Sequence, residues 1–299
     1  MERVSHEEIL QRIVARGGTI VLLGGIDTGK TTFALDLAEA ARSRGLSTAY
    51  IDADLGQTTV GPPTCIGLKY VGDLERVERQ TVSHADQLAF VGSTSPSGHL
   101  LPVLSGTGRM VTHARETGCE VIIVDSSGLI SGVYAELLKY HKLQLVRPDA
   151  VVGFQRGAEL DPILGIVRRF LPADVTALRV RPEVRERSAE ERLAYREEQF
   201  GTYFGAPLQR WRVKTTVFMP ALPPDLELAR LDGLVVGLED GKGNCLGVGL
   251  LEYDPVEGIL RMVSPISEGA TGLLVGSMRI TTDGKLLGRI TARELFGSE

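Results

Sequence analysis

Residues 24–31, Gly-Gly-Ile-Asp-Thr-Gly-Lys-Thr, constrain this chain more than any other segment. They satisfy GxxxxGK[ST] at every fixed position. An apolar, β-branched run at 19–23 precedes them, and Phe33, Leu35, Leu37, Ala38 and Ala41 recur with helical spacing after them. Glycines let such a turn curl so that its N–H groups and the helix N-terminus surround phosphate oxygens. Gly25, Asp27, Thr28, Gly29, Lys30, Thr31 and Thr32 are therefore the expected nucleotide-binding residues. Lys30 would neutralise the β- and γ-phosphates, and the Thr31 hydroxyl would ligate magnesium or manganese. An ordinary glycine-rich turn is the bland alternative, and the strand-then-helix setting argues against it.

The rest of the chain fits an α/β, doubly wound and mostly parallel sheet of the P-loop NTPase kind. Residues 47–51 and 121–124 are continuous apolar runs, as expected of strands covered on both faces, and 150–154 is a further one. Residues 133–145 have helical character, so strands and helices alternate. From Arg168 to Arg196 the sequence changes, with eight arginines against five acids. Ser188 followed by Glu191 fits a capping box opening a helix over 188–200. After about residue 209 two hairpins are expected, turning at 239–244 and 282–285. The expected division is a kinase-type domain at 1–209, with an Arg-rich helical lid at about 168–204, and a small β-rich domain at 210–299.

With 299 residues and 43 % apolar side chains, the chain can bury a full core. Residues 1–11 form an expected short amphipathic helix rather than a secretory signal. No apolar run approaches the roughly 18 residues of a membrane span. Three dispersed cysteines without ligand spacing point to reduced thiols in a cytoplasmic protein, without structural zinc. A net charge of −5 argues against nucleic-acid binding by bulk electrostatics alone but leaves room for a local basic groove.

Carboxylates end two of the apolar runs. Asp125 closes the run 121–124, where a P-loop protein keeps a magnesium-side acid, although such an Asp can also merely cap a turn. Small residues at Ser126, Ser127 and Gly128 permit close approach there. Asp52 and Asp54 follow the second strand. If strand geometry continues, both point to one side at the ligand-binding edge of the sheet. A kinase acting on a hydroxyl needs such an acid to accept its proton. Two solvated loop acids are the alternative.

Several segments together resemble the Clp/Grc/Nol polynucleotide 5′-hydroxyl kinases. They are GGIDTGKTT at 24–32, DADLGQ at 52–57 with Gly-Pro-Pro at 61–63, GSTSPSG at 92–98, VDSSGLISGVY at 124–134, and the Arg-rich stretch 185–204. They occur in the family's order over about two-thirds of the chain. The resemblance implies transfer of the γ-phosphate of ATP or GTP to the 5′-OH end of RNA or DNA. It implies that Asp54 is the general base and that Gln57 lies near the metal and the reacting phosphate. Ser93, Thr94 and Ser95 would belong to the acceptor site, with Ser127 in support. The lid would supply Arg192 and Arg196, four apart on one helix face, then Arg185 and Arg187. A solvated helix pairing with its own glutamates is the competing explanation for these arginines.

Leu129 stands where many members of that family carry a stacking Trp, and Trp211 is a distant candidate for the same task. The short segment before the loop resembles a reduced, prokaryotic-type member. Two other functions stay open on sequence. One is a non-catalytic ATP-binding scaffold in an RNA-processing complex, and the other is a P-loop GTPase or small-molecule kinase.

Overall fold

The computed structural model describes residues 5–297. Ser5 caps α1 (His6–Arg16) through a capping box with Glu8, and Ile9, Leu10, Ile13 and Val14 form its buried stripe. Of the helix expected at 1–11, residues 1–4 lie outside the described residues. β1 (Gly18–Gly24) is buried on both faces from Thr19 onward and leads through the glycine-rich loop into α2 (Lys30–Ser43). The first layer continues with β2 (Thr48–Ala53), β3 (Cys65–Tyr70), β4 (Gln87–Phe90), α3 (Leu100–Glu116) and β5 (Val121–Ser126). It is completed by α4 (Val133–Val146), β6 (Ala150–Gln155), α5 (Asp161–Phe170) and β7 (Asp174–Arg179).

These strands form one sheet in the order β4-β3-β2-β5-β1-β6-β7. β2, β5, β1, β6 and β7 run parallel, whereas β3 and β4 add an antiparallel edge. One face packs against α3, α4 and α5 through residues such as Met110, Leu138 and Leu164. The other packs against α1 and α2 through Ile13, Phe33 and Leu37. Each fully buried aliphatic side chain contributes about 1.5–3 kcal/mol, so this two-sided burial fixes the strand ends on which the site sits.

Helix α6 (Ala189–Phe204) starts at the expected Ser188–Glu191 capping box. It leads to a second sheet of β8 (Gln209–Arg212), β9 (Phe218–Met219), β10 (Leu234–Glu239), β11 (Cys245–Asp254), β12 (Ile259–Ser264), β13 (Gly272–Ile280) and β14 (Leu286–Arg289), followed by α7 (Ala292–Phe296). Its order is β14-β13-β10-β11-β12-β8, antiparallel throughout, with β9 joining β13 in parallel. Both expected hairpins are present, as β10–β11 and β13–β14.

The two sheets are tied together. Phe200 and Phe204 of α6 are buried with Val235, Val248 and Met278 of the second sheet. Gly284, in the β13–β14 turn, lies so near α6 that a Cβ there would come within 2.4 Å of Gly201 N. Ser277 N donates to Gly92 O at 2.8 Å, and Thr94 N reaches the Met278 sulfur at 3.2 Å. The second sheet thus braces both α6 and the loop at 92–95. No described helix is long and apolar enough to cross a membrane.

Candidate active site

A cleft of about 580 Å³ opens at the carboxyl ends of β1, β2 and β5. The phosphate loop forms its floor, with Asp27, Thr28, Gly29, Lys30, Thr31 and Thr32 lining it. Gly29 sits at φ +85°, a left-handed conformation that disfavours side chains. Gly25 is not on the cleft wall. Its carbonyl accepts from Lys30 Nζ at 2.7 Å and from Thr28 Oγ1 at 3.0 Å. On the opposite side Gly128 meets Ile26 closely enough that a Cβ would lie 2.8 Å from Ile26 N. This approach brings the 126–131 segment against the phosphate loop.

Thr31 Oγ1 donates to Asp125 Oδ2 at 2.5 Å, joining the first turn of α2 to the end of β5. Asp125 is 1 % exposed, and its Oδ1 has no hydrogen-bond partner among the described residues. Burial pushes its carboxyl pKa up, against the pull of Lys30 and Thr31. Ser127 Oγ and Gln57 Oε1 are also buried without partners, and both residues line the cleft. Unpartnered hard oxygen donors beside a threonine hydroxyl fit a divalent cation with oxygen ligands.

Asp52 and Asp54 do not share a side. β2 ends at Ala53 and the chain turns, with Asp54 N donating to Asp52 Oδ1 at 2.9 Å. Asp52 is buried and accepts the N–H groups of Thr59 and Val60. Burial and the neighbouring Asp125 push its pKa up to about 8. Asp54 faces the cleft, and its Oδ1 accepts from Gly56 N at 3.0 Å. Thr94 and Ser95 also line the cleft, whereas Ser93 is buried behind them and accepts Ser95 N at 3.1 Å.

The arginines divide three ways. Arg187 grips Asp27, with Nε and Nη2 on Oδ1 at 2.8 and 2.7 Å and its backbone N on Oδ2 at 2.9 Å. Arg192 stands 3.6 Å from the same carboxylate. Arg185 lines the outer cleft, 73 % exposed and paired with Glu191 at 2.7 Å, as the solvated-helix explanation expects. Arg196 lines the cleft and has no ion-pair partner among the described residues. Burial lowers its pKa, reinforced by Arg289 and Arg192, while Asp54 acts the other way.

Sequence reasoning missed four contributors. Arg79 and Arg289 line the cleft from a loop and from the second sheet, and neither carries a local signal. Tyr195 donates to Thr58 O at 2.9 Å, fastening α6 to the segment after Asp54. Lys139, fully buried, donates to Ser126 Oγ at 3.0 Å and Ser127 O at 2.7 Å. A lysine on the apolar face of α4, beside Leu138 and Leu143, was the available clue to that last interaction. Trp211 lies on β8 against the apolar cluster of the second sheet and does not line the cleft, whereas Leu129 does.

A profile of the mRNA cleavage and polyadenylation factor CLP1 P-loop matches residues 24–206. The chain belongs to the CLP1 P-loop family. The matched span takes in the phosphate loop, the 52–57 and 92–98 segments, Asp125 and the arginines of α6. Among relatives of this CLP1-family chain is the polyribonucleotide 5′-hydroxyl-kinase of Thermococcus kodakarensis, 30 % identical, covering 93 % of this chain and 92 % of that one. The polyribonucleotide 5′-hydroxyl-kinase of Methanocaldococcus jannaschii is 28 % identical over 90 % and 89 %. The wild-type Clp1p–Pcf11p complex contains a chain that superposes with a TM-score of 0.71, covering 92 % of this chain and 77 % of that one. At 14 % identity that likeness concerns the fold alone. A P-loop kinase of this family takes a nucleotide as phosphate donor and typically a divalent metal.

Proposed function

We propose that this CLP1-family chain is a polynucleotide 5′-hydroxyl kinase, moving the γ-phosphate of ATP or GTP onto the 5′-OH end of RNA or DNA. One observation carries the reading. Thr31, the Asp54 carboxylate and Arg192 and Arg196 line a single cleft above the phosphate loop, and Asp125 lies just behind it on the Thr31 hydroxyl.

Lys30 and the loop N–H groups hold the triphosphate. Magnesium or manganese, held by Thr31 and Asp125 with Gln57 and Ser127 nearby, would offset charge on the β- and γ-phosphates. Asp54 accepts the proton of the 5′-OH. The 5′-oxygen bonds to the γ-phosphorus as the bond to the β–γ bridging oxygen breaks, and the nucleoside diphosphate leaves. Arg192 and Arg196 stabilise charge on the transferring group, a contribution that a planar, permanently charged fork makes well. Arg187 is a positioning residue, because Asp27 occupies its guanidinium. Among the described residues, those up to 209 supply most of this machinery, with the lid at 168–204, and those from 210 on brace it and add Arg289.

The test supplies γ-labelled ATP and GTP, with magnesium, to matched 5′-OH RNA and DNA oligonucleotides. Label in the oligonucleotide with wild type, and none with Lys30→Ala, supports the kinase and ranks donor and acceptor. Nucleotide binding without any transfer would replace it with the scaffold reading. Turnover confined to a small hydroxyl acceptor would favour a small-molecule kinase.

A further inference from the structure

A second groove of about 510 Å³ runs along the β13–β14 edge of the antiparallel sheet, lined by Arg230, Asp232, Arg279, Arg289, Ile290 and Glu294. Arg289 lines this groove and the catalytic cleft alike, so the two adjoin at its side chain. β14 is the edge strand, and Arg289 stands opposite Met278 of β13, whose sulfur meets the 92–95 loop. Arg279 is the next residue of β13, and successive strand residues point to opposite faces. The basic groups therefore pass from the cleft over the edge of the sheet.

Among the described residues no carboxylate lies within ion-pair distance of Arg230, Arg279 or Arg289. The two acids of the groove are engaged with the backbone. Asp232 accepts Tyr253 N at 2.8 Å, and Glu294 accepts Thr291 N at 2.6 Å. The arginines are held in place by carbonyls, with Arg279 donating to Arg230 O and Arg230 to Glu294 O. Arg279 Nε is buried without a hydrogen-bond partner among the described residues. Three guanidinium groups stand against two carboxylates in this groove, and Glu294 shares the field of Arg279 and Arg230, so the balance is positive in a protein of net charge −5 and favours an anion.

We propose that Arg289, Arg279 and Arg230 guide the phosphodiester backbone of the acceptor strand downstream of its 5′ end. The proposal rests on the kinase reading and gives the second sheet a substrate-binding task. It makes acceptor length matter, because a strand too short to leave the cleft gains nothing from Arg230.

The test compares KM for a 5′-OH RNA of about two nucleotides with one of about twelve, a length within the range single-strand sites cover. Wild type favours the longer strand. Arg230→Ala shrinks that advantage about threefold to tenfold, and Arg230→Glu shrinks it further. Arg261→Ala, in the β11–β12 hairpin, retains it. Binding of the longer RNA, labelled at its 3′ end and followed by anisotropy, weakens in the Arg230 variants. The slope of log affinity on log salt falls by about 0.7 for each phosphate that is no longer neutralised. Identical binding and length preference in wild type and both Arg230 variants would overturn the guiding role. Absence of transfer to either acceptor would instead overturn the kinase reading, while the anisotropy comparison still decides the guiding role.

Discussion

Arg187 and Asp27 are joined by three hydrogen bonds of 2.7–2.9 Å, so the arginine segment is fastened to the phosphate loop itself. Asp27 adopts a left-handed φ of +50°, unusual for a residue with a side chain, and Arg156 Nη2 also holds its carbonyl at 2.8 Å. An acid among phosphate ligands would repel a triphosphate. Its pairing with Arg187 and Arg192 offsets that charge and sets where the arginines stand.

The pair gives a pH-dependent stability. Burial acts to raise the Asp27 pKa, but the Arg187 hydrogen bonds and the Arg187 and Arg192 charges outweigh it and hold it below the ordinary 3.8. A depressed folded-state pKa stabilises the protein fully above the unfolded value, and the effect is lost as pH falls through the folded value. Asp27→Asn is expected to lower stability at neutral pH by about 1–2 kcal/mol, discounted because Arg187 is partly solvated. In denaturant titrations the gap to wild type narrows below about pH 4. A gap that is constant down to the acid limit would show that charge at Asp27 is not its origin.

The arginines in and just before α6 separate by their partners. Arg196 faces the cleft with no ion-pair partner among the described residues, whereas Arg185 pairs with Glu191 on the surface. Arg196→Ala should reduce kcat by about a hundredfold or more, in the range of lost transition-state charge stabilisation. Arg185→Ala should stay within about threefold, since exposed pairs contribute little. Steady-state kinetics on one oligonucleotide decide the order, and equal losses would place both in the same role.

Asp125 has one oxygen on Thr31 and the other unpartnered. Chelation with EDTA should abolish transfer, and added magnesium or manganese should restore it. Asp125→Asn should keep less than about one per cent of activity at ordinary metal concentrations. Its ligand-free form should melt no lower than wild type, because burial already disfavours the charged carboxylate. Transfer that survives chelation would remove the metal from the account.

The parts of the site legible in the sequence are those built by local chain. The phosphate loop declares itself through fixed spacing between a strand and a helix, Asp125 through the apolar run it ends, and α6 through Ser188 and Glu191. Asp54 was legible as a cleft residue, but its divergence from Asp52 was not, because the alternation of a strand fails where β2 stops at Ala53. β3 and β4 carry no clear pattern in a loop-rich stretch, and their antiparallel pairing depends on partners elsewhere in the sheet. Arg289 was invisible for the same reason. It reaches the cleft because β14 pairs with β13 and the second sheet docks on the loop at 92–95.

The central claim is that Asp54 serves a transfer onto a 5′-hydroxyl. Single-turnover transfer from γ-labelled ATP to a 5′-OH RNA, beside the same RNA already carrying a 5′-phosphate, tests it most directly. Wild type should label the 5′-OH strand alone. Asp54→Asn should bind nucleotide as tightly yet transfer about 10²–10⁴ times more slowly, the range for loss of a general base. Labelling of both strands, or transfer at the wild-type rate by Asp54→Asn, would contradict the account.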